Sequence, residues 1–102
     1  MQTIITENQE QIAELCRQHH VRSLAVFGSA ARDDFDPARS DVDLLVEFGP
    51  LSDLEYAPNY FSLLRSFDRL FGRRVDMLTD PSIRNPYLRK SIECDKVYLY
   101  AA

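Results

Sequence analysis

Ser40-Asp41-Val42-Asp43-Leu44-Leu45-Val46 decides the reading of this chain. Strand side chains alternate between faces, so Asp41 and Asp43 point one way, and Val42, Leu44 and Val46 point the other way into a core. Two carboxylates on one face repel each other unless a cation sits between them, and oxygen donors of this kind suit magnesium or manganese. The alternative is an edge strand whose acidic face is simply wet. The strand runs from Asp41 to Phe48 and ends at Gly49-Pro50.

Working outward, Ser23-Leu24-Ala25-Val26-Phe27 is an apolar run that reads as a buried strand and stops at Gly28-Ser29. Glycine at that junction permits an unusual turn and lets a ligand approach the backbone. A short helix beginning over Ser29 to Arg32 would aim N–H groups and a positive dipole end at a phosphate, although an ordinary Gly-Ser turn also fits the dipeptide taken alone. The stretch from Asp33 to Ser40 is polar, contains Pro37, and reads as a loop. Downstream, Arg74-Val75-Asp76-Met77-Leu78 puts one aspartate into an otherwise apolar strand that ends at Thr79. By itself Asp76 fits an edge position or a local hydrogen bond. If its strand pairs beside the second one, Asp76 joins Asp41 and Asp43, and three carboxylates can hold two metal ions that clamp a triphosphate and activate a hydroxyl.

The remaining elements follow from periodicity and punctuation. Thr6 with Gln9 has the spacing of a capping box, and Ile12, Leu15 and Cys16 carry a helix over residues 6–19. His19 and His20 close it, where they suit the helix dipole or solvent. Residues 51–59 read as irregular, with Pro58 as a breaker; Tyr60, Leu63, Leu64, Phe67, Leu70 and Phe71 then form a helical stripe ended by Gly72. Asp80-Pro81 signals a helix start, the helix itself is expected over 83–93 with Pro86 delaying it, and Lys96 to Tyr100 forms a last strand with Val97 and Leu99 on one face. The class is α/β (α+β): a small mixed sheet of about four strands with helices packed on it.

With 102 residues, a single domain over 1–102 is expected, with no room for a separate lobe to hold a second substrate. The net charge is -4 and the pI about 5.0. No basic stripe is visible, so direct nucleic-acid binding is not expected; acidity suits a basic protein partner instead. The apolar runs are too short to span a membrane, and Cys16 and Cys94 have no zinc or redox spacing, so a cytoplasmic setting is expected.

Strand, Gly-Ser turn, polar loop, Asp-x-Asp strand and later strand aspartate form an ordered set that resembles the nucleotidyltransferase superfamily, in particular the minimal MNT-type antitoxins of HEPN/MNT toxin–antitoxin pairs. The matching residues are Gly28-Ser29-Ala30-Ala31-Arg32, Ser40 through Val46, and Val75-Asp76, joined by Asn85 through Ile92 and Val97 through Tyr100. The resemblance implies the nucleotidyltransferase fold. It implies that Gly28, Ser29 and Arg32 bind nucleotide, and that Asp41, Asp43 and Asp76 are catalytic and ligate two Mg2+ ions, with ATP as substrate. It also implies that AMP passes from ATP to a tyrosine of a cognate HEPN RNase toxin, in a hetero-oligomer that silences the toxin. Ala30 departs from the family's usual arginine or aromatic, Asp33 from its usual glycine, and the loop from Ser29 to Asp41 is one residue longer than the commonest form. Two other readings stay open: a non-catalytic antitoxin that masks the toxin by contact, with Tyr56, Tyr60 and Tyr87 as candidate interface residues, and a small-molecule transferase of the aminoglycoside type.

Overall fold

The computed structural model describes residues 3–32 and 41–102. The expected loop from Asp33 to Ser40, including both of those residues, lies outside them. The chain opens with a helical turn, α1 (Thr3–Thr6), and a longer helix, α2 (Gln9–Gln18). The expected single helix over 6–19 is therefore divided. Thr6 is no cap: its hydroxyl donates to the Thr3 carbonyl at 3.2 Å, while the Asn8 side chain donates to the Ile4 carbonyl at 2.7 Å and closes the first turn. The apolar spacing holds, and Ile12 and Cys16 are fully buried. His19 follows α2, with one ring nitrogen 2.8 Å from the Leu15 carbonyl and the other 3.1 Å from the Ser62 hydroxyl.

The sheet has four strands: β1 (Val21–Phe27), β2 (Val42–Phe48), β3 (Val75–Thr79) and β4 (Val97–Ala101). They lie in the order β3-β2-β1-β4, with β2 antiparallel to β1, β4 antiparallel to β1, and β3 parallel to β2. This is the mixed sheet that the sequence implied. A parallel neighbour needs a crossover, and α3 (Asp53–Phe71) supplies it between β2 and β3. Leu63, Phe67 and Phe71 of α3 pack with Val42, Leu44 and Val46 of β2 in the main core. A bulge in the β1–β4 pairing falls between Leu24 and Ala25, so strict alternation is lost in β4 and both Leu99 and Tyr100 pack against that core.

Helix α3 begins seven residues before the expected stripe. Ser52 caps it by accepting the Glu55 N–H at 3.3 Å, while its hydroxyl donates to the Glu55 carboxylate at 2.8 Å. Pro58 lies inside the helix and does not break it. The one helical bond it forfeits would have used the carbonyl of Leu54, a residue in the first turn that is 91% exposed and so has water as a partner. At the other end Gly72 adopts φ +63° and its N–H reaches the Asp68 carbonyl at 2.9 Å, the left-handed stop that the sequence announced. The Asp68 carboxylate then accepts the Val75 N–H at 3.1 Å and fixes the entry into β3. Tyr60 donates its hydroxyl to the Met77 carbonyl on this edge strand.

Asp80-Pro81 starts only a 3-10 turn, Asp80–Ser82. The following helix, α4 (Pro86–Asp95), starts later than 83 because Asn85 accepts the N–H groups of Tyr87 and Leu88 and Pro86 occupies the first helical position. Arg89 holds this region together through Asp80 at 2.9 Å and the Ile83 carbonyl at 2.9 Å. Ile83 and Ile92 pack with Phe27 on the second face of the sheet, against Leu45 and Leu78. That cover stops short of the β2 and β3 starts, where Asp41, Asp43 and Asp76 remain partly exposed. Among the described residues no helix is long and apolar enough to cross a membrane.

Candidate active site

The carboxylates come together through strand register. The parallel β2–β3 ladder pairs Val42 with Val75 and Asp43 with Asp76. Registered neighbours share a face, so Asp43 and Asp76 project from the second face together, and Asp41 lies two residues before Asp43 on that same side. Val42 is fully buried on the opposite face, as are Leu44 and, nearly, Val46. The wet-edge alternative fails for β2, which is an interior strand with β1 on one side and β3 on the other.

Gly28 closes the site from β1. Phe27 is paired with Asp43, and the chain then turns at Gly28 with φ +69°. A Cβ built on Gly28 would lie 2.5 Å from Asp43 Oδ2, closer than a side chain can approach. Glycine is thus required twice, for the left-handed backbone and for the room taken by the carboxylate. The expected helix over Ser29 to Arg32 is a 3-10 turn, Gly28–Ala30, too short to carry a macrodipole, so any phosphate affinity here must come from local N–H groups and side chains. Ala30, the departure from the usual arginine or aromatic, is fully buried in the main core.

Burial pushes the Asp43 carboxyl up to about 6, and the negative charges of Asp76 and Asp41 add to the rise, while Arg32 opposes it. The three aspartates therefore sense one another electrostatically, and a cation between them would relieve the strain. The donor set is all oxygen, suited to a hard divalent ion, and the missing side chain of Gly28 gives the Asp43 carboxylate its place in that set. The residues fit such an ion in these respects, yet among the described residues no three acidic, histidine or cysteine side chains are drawn together closely enough to cage one as they stand. A cation also stands beside these carboxylates. Arg74 places its Nε 3.9 Å from Asp41 Oδ2 and a terminal nitrogen 3.6 Å from Asp76 Oδ1. Its position was readable, since residues 74 and 76 share a strand face.

Arg32 meets the site at its rim. Its guanidinium donates to Asp95 Oδ2 at 2.5 Å, tying the Gly-Ser turn to the end of α4, and its charge also favours ionised Asp43. Asp95 lies 63 residues away and carried no local signal. The two cysteines stand apart from this chemistry: Cys16 is buried, which pushes its thiol up to about 12, and Cys94 is exposed.

A model of the nucleotidyltransferase domain matches residues 9–99. The chain belongs to this family. Two proteins of Methanocaldococcus jannaschii, whose names propose protein adenylyltransferase activity, resemble it over most of their lengths. One is 36% identical over 97 residues, covering 87% of this chain and 95% of the relative. The other is 39% identical over 85 residues, covering 83% of each. The fold is shared with a solved structure described as a proposed minimal nucleotidyltransferase, at a TM-score of 0.69 and 29% identity over 90% of this chain and 89% of that one. A toxin–antitoxin structure with AMP-PNP has a TM-score of 0.68 at 19% identity, covering 93% of this chain and 74% of that one. A complex of a tri-AMPylated Shewanella oneidensis HEPN toxin with its MNT antitoxin has a TM-score of 0.63 at 17% identity, covering 96% and 73%. This nucleotidyltransferase thus has the architecture of the minimal members of its family.

Proposed function

We propose that this nucleotidyltransferase is a protein adenylyltransferase antitoxin, which transfers AMP from ATP to a tyrosine of a cognate HEPN RNase toxin. The observation that carries the reading is the β2–β3 register, which sets Asp76 beside Asp43 on the face that also bears Asp41, next to a glycine whose missing side chain leaves Asp43 room. The names of the Methanocaldococcus jannaschii relatives support the reaction class, and the likeness to MNT antitoxins supports the setting.

In this reading Gly28 and Ser29 receive the β and γ phosphates, with Arg32 adding positive charge at the rim. Asp41, Asp43 and Asp76 are the residues that would hold Mg2+, two ions in the full site, and the metal would supply charge neutralisation on the triphosphate and acidify the acceptor hydroxyl. Asp76, partly exposed at the start of β3, faces the incoming acceptor and takes the phenolic proton. The tyrosine oxygen bonds to the α phosphorus as the bond to the bridging oxygen breaks, pyrophosphate leaves, and the proton passes from Asp76 to water. In this reading the partner presents the acceptor. Exposed Tyr56 and Tyr87 belong to the surface that would meet it.

The test is pyrophosphate release from ATP and Mg2+ in the presence of a HEPN-domain protein that forms a complex with this chain. Release that requires the partner and is lost in Asp41→Ala and in Asp76→Asn supports the reading. A second reading, neutralisation by contact alone, draws on the exposed aromatic side chains of Tyr56 and Tyr87. It predicts that the same variants silence the toxin at equal dose. Release without any partner, stimulated by an aminoglycoside, would favour a small-molecule acceptor.

A further inference from the structure

We propose that Arg74 is a built-in counter-ion of the carboxylate site: it holds Asp41 and Asp76 ready before a divalent cation arrives and competes with that cation for them. The inference rests on the reading of these aspartates as metal ligands and adds a residue that controls when they are filled.

The backbone of Arg74 is fixed. Its carbonyl accepts the Val42 N–H at 3.1 Å, joining the start of β3 to β2, and the turn before it is set by Gly72 and by the bond from Val75 to Asp68. The guanidinium can therefore swing but cannot leave. It reaches Asp41 from Nε and Asp76 from a terminal nitrogen, at 3.9 and 3.6 Å. Both separations exceed hydrogen-bond lengths, so the contacts are loose ion pairs. The side chain is 75% exposed, so moving it uncovers little. Arginine keeps its charge at every pH of interest. Such a group offsets part of the repulsion among the three carboxylates when no metal is bound. It also repels a divalent ion entering the same place: a single charge facing a double one at about 5 Å in a watery environment corresponds to about a tenfold loss of affinity.

The experiment measures manganese(II) binding to the nucleotide-free full chain by electron paramagnetic resonance, for wild type, Arg74→Ala, Arg74→Gln, Arg74→Lys and the Asp41→Ala, Asp43→Ala double variant. Both neutral variants should bind manganese about tenfold more tightly than wild type, Arg74→Lys should stay close to wild type, and the double variant should lose the site. Thermal unfolding in EDTA should show the neutral variants less stable than wild type, with the deficit closing at saturating manganese, a response that a purely structural role would not give. If either neutral variant folds and binds manganese equally or more weakly than wild type, the inference is overturned while the metal site stands. If neither wild type nor any Arg74 variant binds manganese, the reading of the three aspartates fails and the inference falls with it.

Discussion

Replacing Gly28 with alanine tests how tightly the Gly-Ser turn and Asp43 are coupled. Two costs add. The backbone sits at φ +69°, where an L side chain costs about 1 kcal/mol. The new Cβ would also lie 2.5 Å from Asp43 Oδ2. Asp43 is anchored in an interior strand with fully buried Val42 and Leu44 on either side, so the carboxylate must rotate or the turn must lift, at about 1–3 kcal/mol. The expected total is about 2–4 kcal/mol, which a domain of ordinary stability survives. Transfer should suffer more, because a displacement of about 1 Å at a reacting centre costs on the order of 100-fold. Urea unfolding of Gly28→Ala, Asp43→Ala and the double variant separates the terms. Removing the carboxylate should return the steric part and leave only the backbone part of the Gly28→Ala penalty, a coupling that a double-mutant cycle reads directly. An identical Gly28→Ala penalty with and without Asp43, or full transfer activity in Gly28→Ala, would refute the reasoning.

Other consequences concern charge and capping. Folded Asp43 holds its proton to about pH 6, against an ordinary value of 3.8; the native state then binds more protons than the unfolded chain between those values, so stability falls as pH rises through that window. The gap corresponds to at most about 3 kcal/mol, and solvent screening of a half-buried group lowers it to about 1–2 kcal/mol. In EDTA, Asp43→Asn should therefore be more stable than wild type at pH 7.5 and close to it near pH 4 while losing transfer; urea curves whose difference is the same at both pH values would contradict this. Ser52→Ala removes the cap of α3 and should cost about 1 kcal/mol without changing the rate of transfer, checked by unfolding and initial rates together. Tyr60→Phe removes the hydroxyl that Met77 accepts on the outer strand and should cost about 1 kcal/mol, visible as faster hydrogen exchange along β3.

The carboxylate site was legible because alternation is a local property. Two aspartates two residues apart in a strand share a face whatever the rest of the chain does, and the buried Val42, Leu44 and Val46 confirm the face. Asp76 needed something more, since its place beside Asp43 depends on which strands pair, and no local signal sets that; only its resemblance to an ordered family pattern joined it to the others. Helix ends were harder. Pro58 looks like a stop when read alone, but near the N-terminus of α3 its missing N–H affects only a solvated carbonyl, and Ser52, six residues earlier, was the true cap. The pairing of Arg32 with Asp95 joins residues brought together by the packing of α4, which periodicity cannot show. Arg74 is within reach of the alternation argument as a neighbour of Asp76, but its approach to Asp41 depends on the β2–β3 pairing, which alternation does not set.

The most direct measurement of the central claim is the intact mass of the HEPN partner after incubation with this chain, ATP and Mg2+, beside the Asp41→Ala, Asp43→Ala control. The account predicts mass increases in whole adenylate units on the partner, absent in the control and mapped to tyrosine. An unchanged mass in a complex that still forms would contradict it and assign neutralisation to contact alone.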